Sequence, residues 1–126
     1  MKYLIDTHVF IGLLIDQGIP SHIKQIIKDR KCTKYISIVS LWEIVIKQNL
    51  NKLKLDYNKE QMLEEIHGSS INILQIECRY LEIYSHLPLI HRDPFDRLLI
   101  STTLADKMTI VTSDEDIQRY EVDWIW

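Results

Sequence analysis

Glycine is scarce in this chain of 126 residues, occurring only as Gly12, Gly18 and Gly68. Neither GxGxxG nor GxxxxGK can be built from them, because both motifs need closely spaced glycines to bring backbone against phosphate. Nucleotide binding through a dinucleotide fingerprint or a P-loop is therefore excluded. Cysteine is scarcer still. Cys32 and Cys78 stand alone, with no CxxC pair and no His at zinc-finger spacing, so a structural zinc is not expected. Two isolated thiols without a secretory signal point to a reducing cytoplasm. The apolar stretch after Lys2 is not read as a signal segment, since Asp6 and His8 interrupt it and no small-residue cleavage site follows. No run approaches ~18 uninterrupted apolar residues, so no transmembrane helix is expected.

A positive excess is also missing. Fifteen Lys and Arg face 18 Asp and Glu, a net charge of −3, whereas a nucleic-acid coat or a membrane-surface protein should be clearly basic. Any phosphate-handling function must work through a local site. What the chain does have is 46% hydrophobic residues and a length that suits one domain, so residues 1–126 are read as a single globular unit. A chain of that size buries roughly two thirds of its unfolded surface and needs no disulfide staple.

Short apolar runs alternate with helical stretches, the pattern of an α/β domain with a central parallel sheet of about five short strands. Strands are expected at Lys2–Asp6, Tyr35–Val39, Ile71–Ile76, Thr109–Thr112 and Trp124–Trp126. Helices are expected at Thr7–Ile15, Ser21–Asp29, Ser40–Leu50, Lys59–His67, Glu77–His86, Pro94–Lys107 and Asp114–Arg119, from apolar residues at 3.6-residue spacing. Lys52–Leu55 reads as a loop.

Certain acids fall at informative places. Asp6 ends the first strand and Asp114 lies two residues beyond the fourth. Open parallel sheets bind ligands outside the carboxyl ends of their strands, where the topology switches direction. Carboxylates gathered there repel one another unless a hard divalent cation with oxygen ligands neutralises them. Two more acids start helices, and local readings compete for both. Ser40-Leu41-Trp42-Glu43 has the form of a capping box, in which hydroxyl and carboxylate satisfy free backbone N–H groups. Asp93-Pro94-Phe95-Asp96 reads as an N-cap, a first-turn proline and an acid favoured by the helix dipole. Asp6 could equally be a cap or turn residue, and Asp114 shares its neighbourhood with Glu115 and Asp116. Asp116 reads by default as a solvated surface charge.

Taken together, Leu4-Ile5-Asp6-Thr7-His8, Ser40-Leu41-Trp42-Glu43-Ile44, His91-Arg92-Asp93-Pro94-Phe95-Asp96-Arg97-Leu98-Leu99-Ile100 and Ile110-Val111-Thr112-Ser113-Asp114 resemble the PIN-domain family. In particular they are similar to the small VapC-type toxins of type II toxin–antitoxin systems. The resemblance spans essentially the whole chain, with the motifs in family order. It implies a single PIN-like domain and a metal-dependent endoribonuclease with a four-acid centre of Asp6, Glu43, Asp96 and Asp114. One or two Mg²⁺ or Mn²⁺ ions would activate water for phosphodiester hydrolysis, leaving 5′-phosphate and 3′-hydroxyl ends. Thr112 matches the family's hydroxyl after the last strand, as a supporting or substrate contact, and Asp93 is assigned to capping. The implied partners are RNA, a cognate antitoxin and a second copy of the chain, with residues 40–50 and 58–67 as expected self-contacts. No membrane partner is implied.

Among the remaining polar residues, His8, His91, Arg92 and Arg97 lie beside the acids. Each could contact RNA phosphates, although His8 reads more simply as a partly buried helix residue and Arg97 as an ion-pair partner of a neighbouring acid. Lys47, Lys52 and Lys54 read as a solvated face. Trp42, Trp124 and Trp126 read as core or interface anchors, and the two cysteines as buried or half-buried packing residues. Three other readings fit the sequence less well. A receiver-type phosphoacceptor domain needs paired acids near the first strand and a lysine after the last, but Lys107 precedes the fourth strand. A haloacid-dehalogenase-like phosphatase wants a second aspartate where His8 stands. A non-catalytic interaction module on the PIN scaffold is opposed by the intact set of four acids.

Overall fold

A computed structural model describes residues 1–126. Five strands, β1 (Lys2–Ile5), β2 (Thr33–Ser37), β3 (Ile71–Leu74), β4 (Thr109–Val111) and β5 (Trp124–Ile125), pair in the order β3-β2-β1-β4-β5. Every pairing is parallel. The chain winds outward from β1 to β3, then crosses back to place β4 on the other side of β1. The switch point therefore lies between β1 and β4, whose register sets Ile5 beside Val111.

The helices are α1 (Thr7–Ile15), α2 (Ser21–Lys28), α3 (Ile38–Asn49), α4 (Lys59–His67), α5 (Cys78–His86), α6 (Pro94–Ala105) and α7 (Glu115–Gln118). Alternation along β1 divides the core. Tyr3 and Ile5 pack with Val9 and Phe10 of α1, Ile23 of α2, Leu41 and Ile44 of α3, and Met62 and Ile66 of α4. Leu4 points the other way, into Leu99 and Ile100 of α6, Met108, Ile110, Ile117 and Tyr120. This period-2 split is what a strand buried on both faces requires. No helix is long and apolar enough to cross a membrane.

Two boundaries differ from the sequence expectation in a way that matters. β2 stops at Ser37, and α3 starts at Ile38 rather than Ser40. Ser37 is the N-cap: its hydroxyl accepts from the Val39 N–H at 3.1 Å. β-branched Ile38 and Val39 suggested a strand, but they open the helix because that cap holds them. β3 is shorter than expected and ends at Leu74, whereas α6 stops at Ala105, where Lys107 takes a left-handed φ of 52°.

Candidate functional site

The carboxyl ends of β1 and β4 lie side by side, and each is followed by an aspartate that caps a helix. Asp6 is the N-cap of α1, and its Oδ1 accepts from the Val9 N–H at 2.9 Å. Its Oδ2 accepts the hydroxyl proton of Thr112. The same Thr112 oxygen accepts from the Asp114 N–H at 3.0 Å, and Asp114 in turn caps α7. One buried hydroxyl thus ties together two acids that lie far apart in the chain. Burial raises the Asp6 carboxyl above its ordinary range, opposed by the bonds from Thr112 and Val9.

Glu43 does not play the capping role its spacing suggested. With α3 starting at Ile38, it lies in the second turn and is only 2% exposed. Ser40 is also buried, and its hydroxyl accepts from Thr7 at 2.9 Å, joining α1 to α3 beside Asp6. The Glu43 carboxylate has one partner: its Oε2 lies 2.8 Å from Lys47 Nζ, one turn further along the helix. Its Oε1 is buried and has no hydrogen-bond partner. Lys47 is therefore not part of a solvated face. The bond to Glu43 raises its affinity for its proton, and Asp93 and Asp96 act in the same direction.

Asp93 is a cap as expected, its Oδ1 accepting from the Phe95 and Asp96 N–H groups at 2.9 and 3.1 Å. Asp96 then projects from the first turn of α6. Burial, aided by the nearby Asp93 charge, pushes its carboxyl up to about 6; Asp114 and Glu43 add to the rise and His91 opposes it. His91 Nε2 lies 3.2 Å from Asp96 Oδ2, and its Nδ1 lies 2.8 Å from the Tyr120 hydroxyl. That hydroxyl also accepts from Arg97 at 2.9 Å and from the His91 N–H at 3.2 Å. The two ring nitrogens of His91 are thus flanked by the Tyr120 hydroxyl on one side and Asp96 on the other. His91 thereby orients Asp96.

Arg97 is neither the phosphate contact nor the acid partner expected from its position. It is buried and donates to the Leu87 and Pro88 carbonyls and to Tyr120, holding the 87–91 segment against α6. Asp116 stays at the surface, 3.5 Å from Arg119, and only its N–H reaches Asp114. His8 is exposed rather than partly buried, as are Cys78, Lys52, Lys54 and Arg92. Trp42 and Trp124 are exposed too, so neither is a core anchor. Trp42 stands edge-on to Phe95 with ring centroids 5.5 Å apart, while Trp126 is half-buried against the core.

The donor set of Asp6, Glu43, Asp96 and Asp114 is all carboxylate oxygen, which suits a hard divalent cation. The unpartnered Glu43 oxygen fits the same occupant, because a buried anionic oxygen without a partner is costly. As placed, no three Asp, Glu, His or Cys side chains converge closely enough to hold one ion. The cation that pairs with one of these acids, Glu43, is the Lys47 ammonium.

His91 and Lys47 are the site residues that sequence reasoning placed differently. The four-residue spacing of Glu43 and Lys47 is the signal that reveals the second. No periodicity links His91 to Asp96, because a cap and a proline intervene.

No curated protein matches the sequence. Solved structures do match the fold. VapBC2 from Rickettsia felis, bound to a DNA fragment from its promoter, has a TM-score of 0.73 at 20% identity, covering 99% of this chain and 98% of that one. DNA-bound VapBC from Salmonella typhimurium gives 0.69 at 17% identity, with 99% and 97% covered. A toxin–antitoxin complex from Klebsiella pneumoniae gives 0.67 at 15% identity, with 98% and 96% covered. The sequence itself matches the model of the PIN domain family over residues 3–123. The sheet order, the acids at its carboxyl edge and that match agree: the chain belongs to the PIN domain family.

Proposed function

We propose that this protein is a Mg²⁺- or Mn²⁺-dependent endoribonuclease and the toxin of a toxin–antitoxin pair. The observation that carries the reading is that four acids act on one another by charge, Asp114 on Asp6 and both Asp114 and Glu43 on Asp96, while Glu43 keeps a buried oxygen that nothing in the chain satisfies. Asp6, Glu43, Asp96 and Asp114 are the residues that would hold the metal. When bound, one or two divalent ions supply a water of lowered pKa and neutralise charge on the phosphate. The chain's own groups do the positioning. Thr112 fixes Asp6 relative to Asp114, the Thr7–Ser40 bond fixes α1 relative to α3, and His91 holds Asp96. None of these side chains needs to act as a covalent nucleophile.

An antitoxin partner is supported by fold relatives that are themselves VapBC and toxin–antitoxin complexes. The reading places the protein in the cytoplasm with its RNA. Self-association through residues 40–50 is favoured over 58–67. Trp42 of α3 and Leu50 at its C-cap remain 58% exposed, whereas α4 turns Met62 and Ile66 into the main core.

The test is cleavage of structured RNA by purified protein with Mg²⁺ or Mn²⁺. Activity should vanish on chelation and in Asp6→Asn and Asp96→Asn. Undiminished cleavage by both variants would overturn the site, and metal binding without cleavage of any cellular RNA would favour a non-catalytic module. Sequencing RNA 5′ ends after induced expression would identify the target.

A further inference from the structure

Lys47 is placed differently from an ordinary helix-surface lysine. Ion pairs at four-residue spacing on an exposed helix contribute little, because both partners are hydrated. Here the Glu43 side chain is 3% exposed while that of Lys47 is 38% exposed, so the acid is fixed and the base is free to leave. Its ammonium takes one carboxylate oxygen at 2.8 Å and leaves the other bare. Asp93 and Asp96 act on the same ammonium from the start of α6. One cation thus pairs with the buried Glu43 and is felt by two acids at the start of α6, where unpaired carboxylates would repel one another.

We propose that Lys47 is the resident cation of the metal-free site, and that metal loading is an exchange. A divalent ion takes over Glu43, and the Lys47 side chain swings out into solvent without losing its proton. This rests on the four-acid metal reading above. It adds that the chain carries its own competitor for the metal, which weakens metal affinity while protecting the empty site from acid–acid repulsion.

Manganese binding by isothermal titration calorimetry, with melting curves of the metal-free and Mn²⁺-saturated forms, tests the exchange. The proteins to compare are wild type, Lys47→Met, Lys47→Gln and Lys47→Arg. Lys47→Met should bind Mn²⁺ about tenfold more tightly, the change expected on removing one partly screened unit charge near the ion. Metal-free, it should melt below wild type; saturated with Mn²⁺, the two should melt together. Lys47→Gln keeps a donor for Glu43 without the charge and should also tighten binding, which covers the case of a Met variant that folds poorly. Lys47→Arg should restore wild-type affinity. Equal or weaker Mn²⁺ binding by both uncharged variants, or a melting deficit that persists at saturation, would overturn the exchange and leave the metal site standing. No Mn²⁺ binding by any of the four proteins would overturn the metal site and the exchange with it.

Discussion

Asp96 carries its charge at a cost, and the sign of that cost can be measured. Burial and the Asp93 charge push its carboxyl up to about 6, whereas an unfolded aspartate releases its proton near pH 4. Between those values the folded chain holds more protons than the unfolded one, so stability falls as pH rises through the window. The raised Asp6 carboxyl acts in the same sense. Metal-free protein should lose about 1–2 kcal/mol from Asp96 between pH 5 and pH 7.5. Asp96→Asn should flatten that part of the profile and raise the metal-free melting temperature at pH 7.5. An unchanged profile would show that Asp96 keeps an ordinary carboxyl. Thr112 offers a second test. Thr112→Val leaves Asp6 Oδ2 and the Asp114 N–H without their bridge, and should cost about 1–3 kcal/mol in urea denaturation. Thr112→Ser should recover most of that loss.

At the scale of elements, helix starts show what a sequence can and cannot disclose. The start of α6 was legible because cap, first-turn proline and acid all point the same way at Asp93-Pro94-Phe95-Asp96, and the structure has that cap. The start of α3 was not. Ser40 and Glu43 spell a capping box, but Ser37 caps the helix and Ser40 bonds Thr7, 33 residues away. A local rule gave way to a tertiary contact that no window of residues contains. Ser37→Ala should cost about 1 kcal/mol while Ser37→Gly costs only a few tenths, as for other caps. A larger loss in Ser40→Ala than in Ser37→Ala would show that the Thr7 bond matters more to α3 than its cap. Lys34 was illegible for the same reason. It lies just before the expected strand, yet it is fully buried, with its ammonium 2.6 Å from the Asp29 carbonyl at the end of α2.

At the scale of the molecule, the fold class was legible because parallel strands read as short apolar runs, and Asp6 and Asp114 because each follows one. The strand order was not, since nothing local says that β4 returns to the side of β1. The net charge of −3 takes on a different meaning once the site is located. Setting aside Asp6, Glu43, Asp96 and Asp114 leaves one net positive charge on the rest of the chain. Lys47 is paired with Glu43, while Arg92, next to Asp93 in the chain, is exposed. RNA binding by an inactive Asp6→Asn protein should therefore depend weakly on salt. A log–log slope shallower than about −3 is expected, at roughly −0.7 for each phosphate contact on a single strand. A much steeper slope would mean that a second copy of the chain contributes a basic surface.

The bond from Thr112 to Asp6 joins residues 106 apart in sequence. A ribosome making this chain releases Asp6 early and must finish β4 before the partner of Asp6 exists. Throughout that interval Asp6 has no neighbouring β4 beside it, and Asp114 is absent. The crossover from β3 to β4 thus makes the joining of Asp6 to Thr112 one of the last events in the synthesis of residues 1–112.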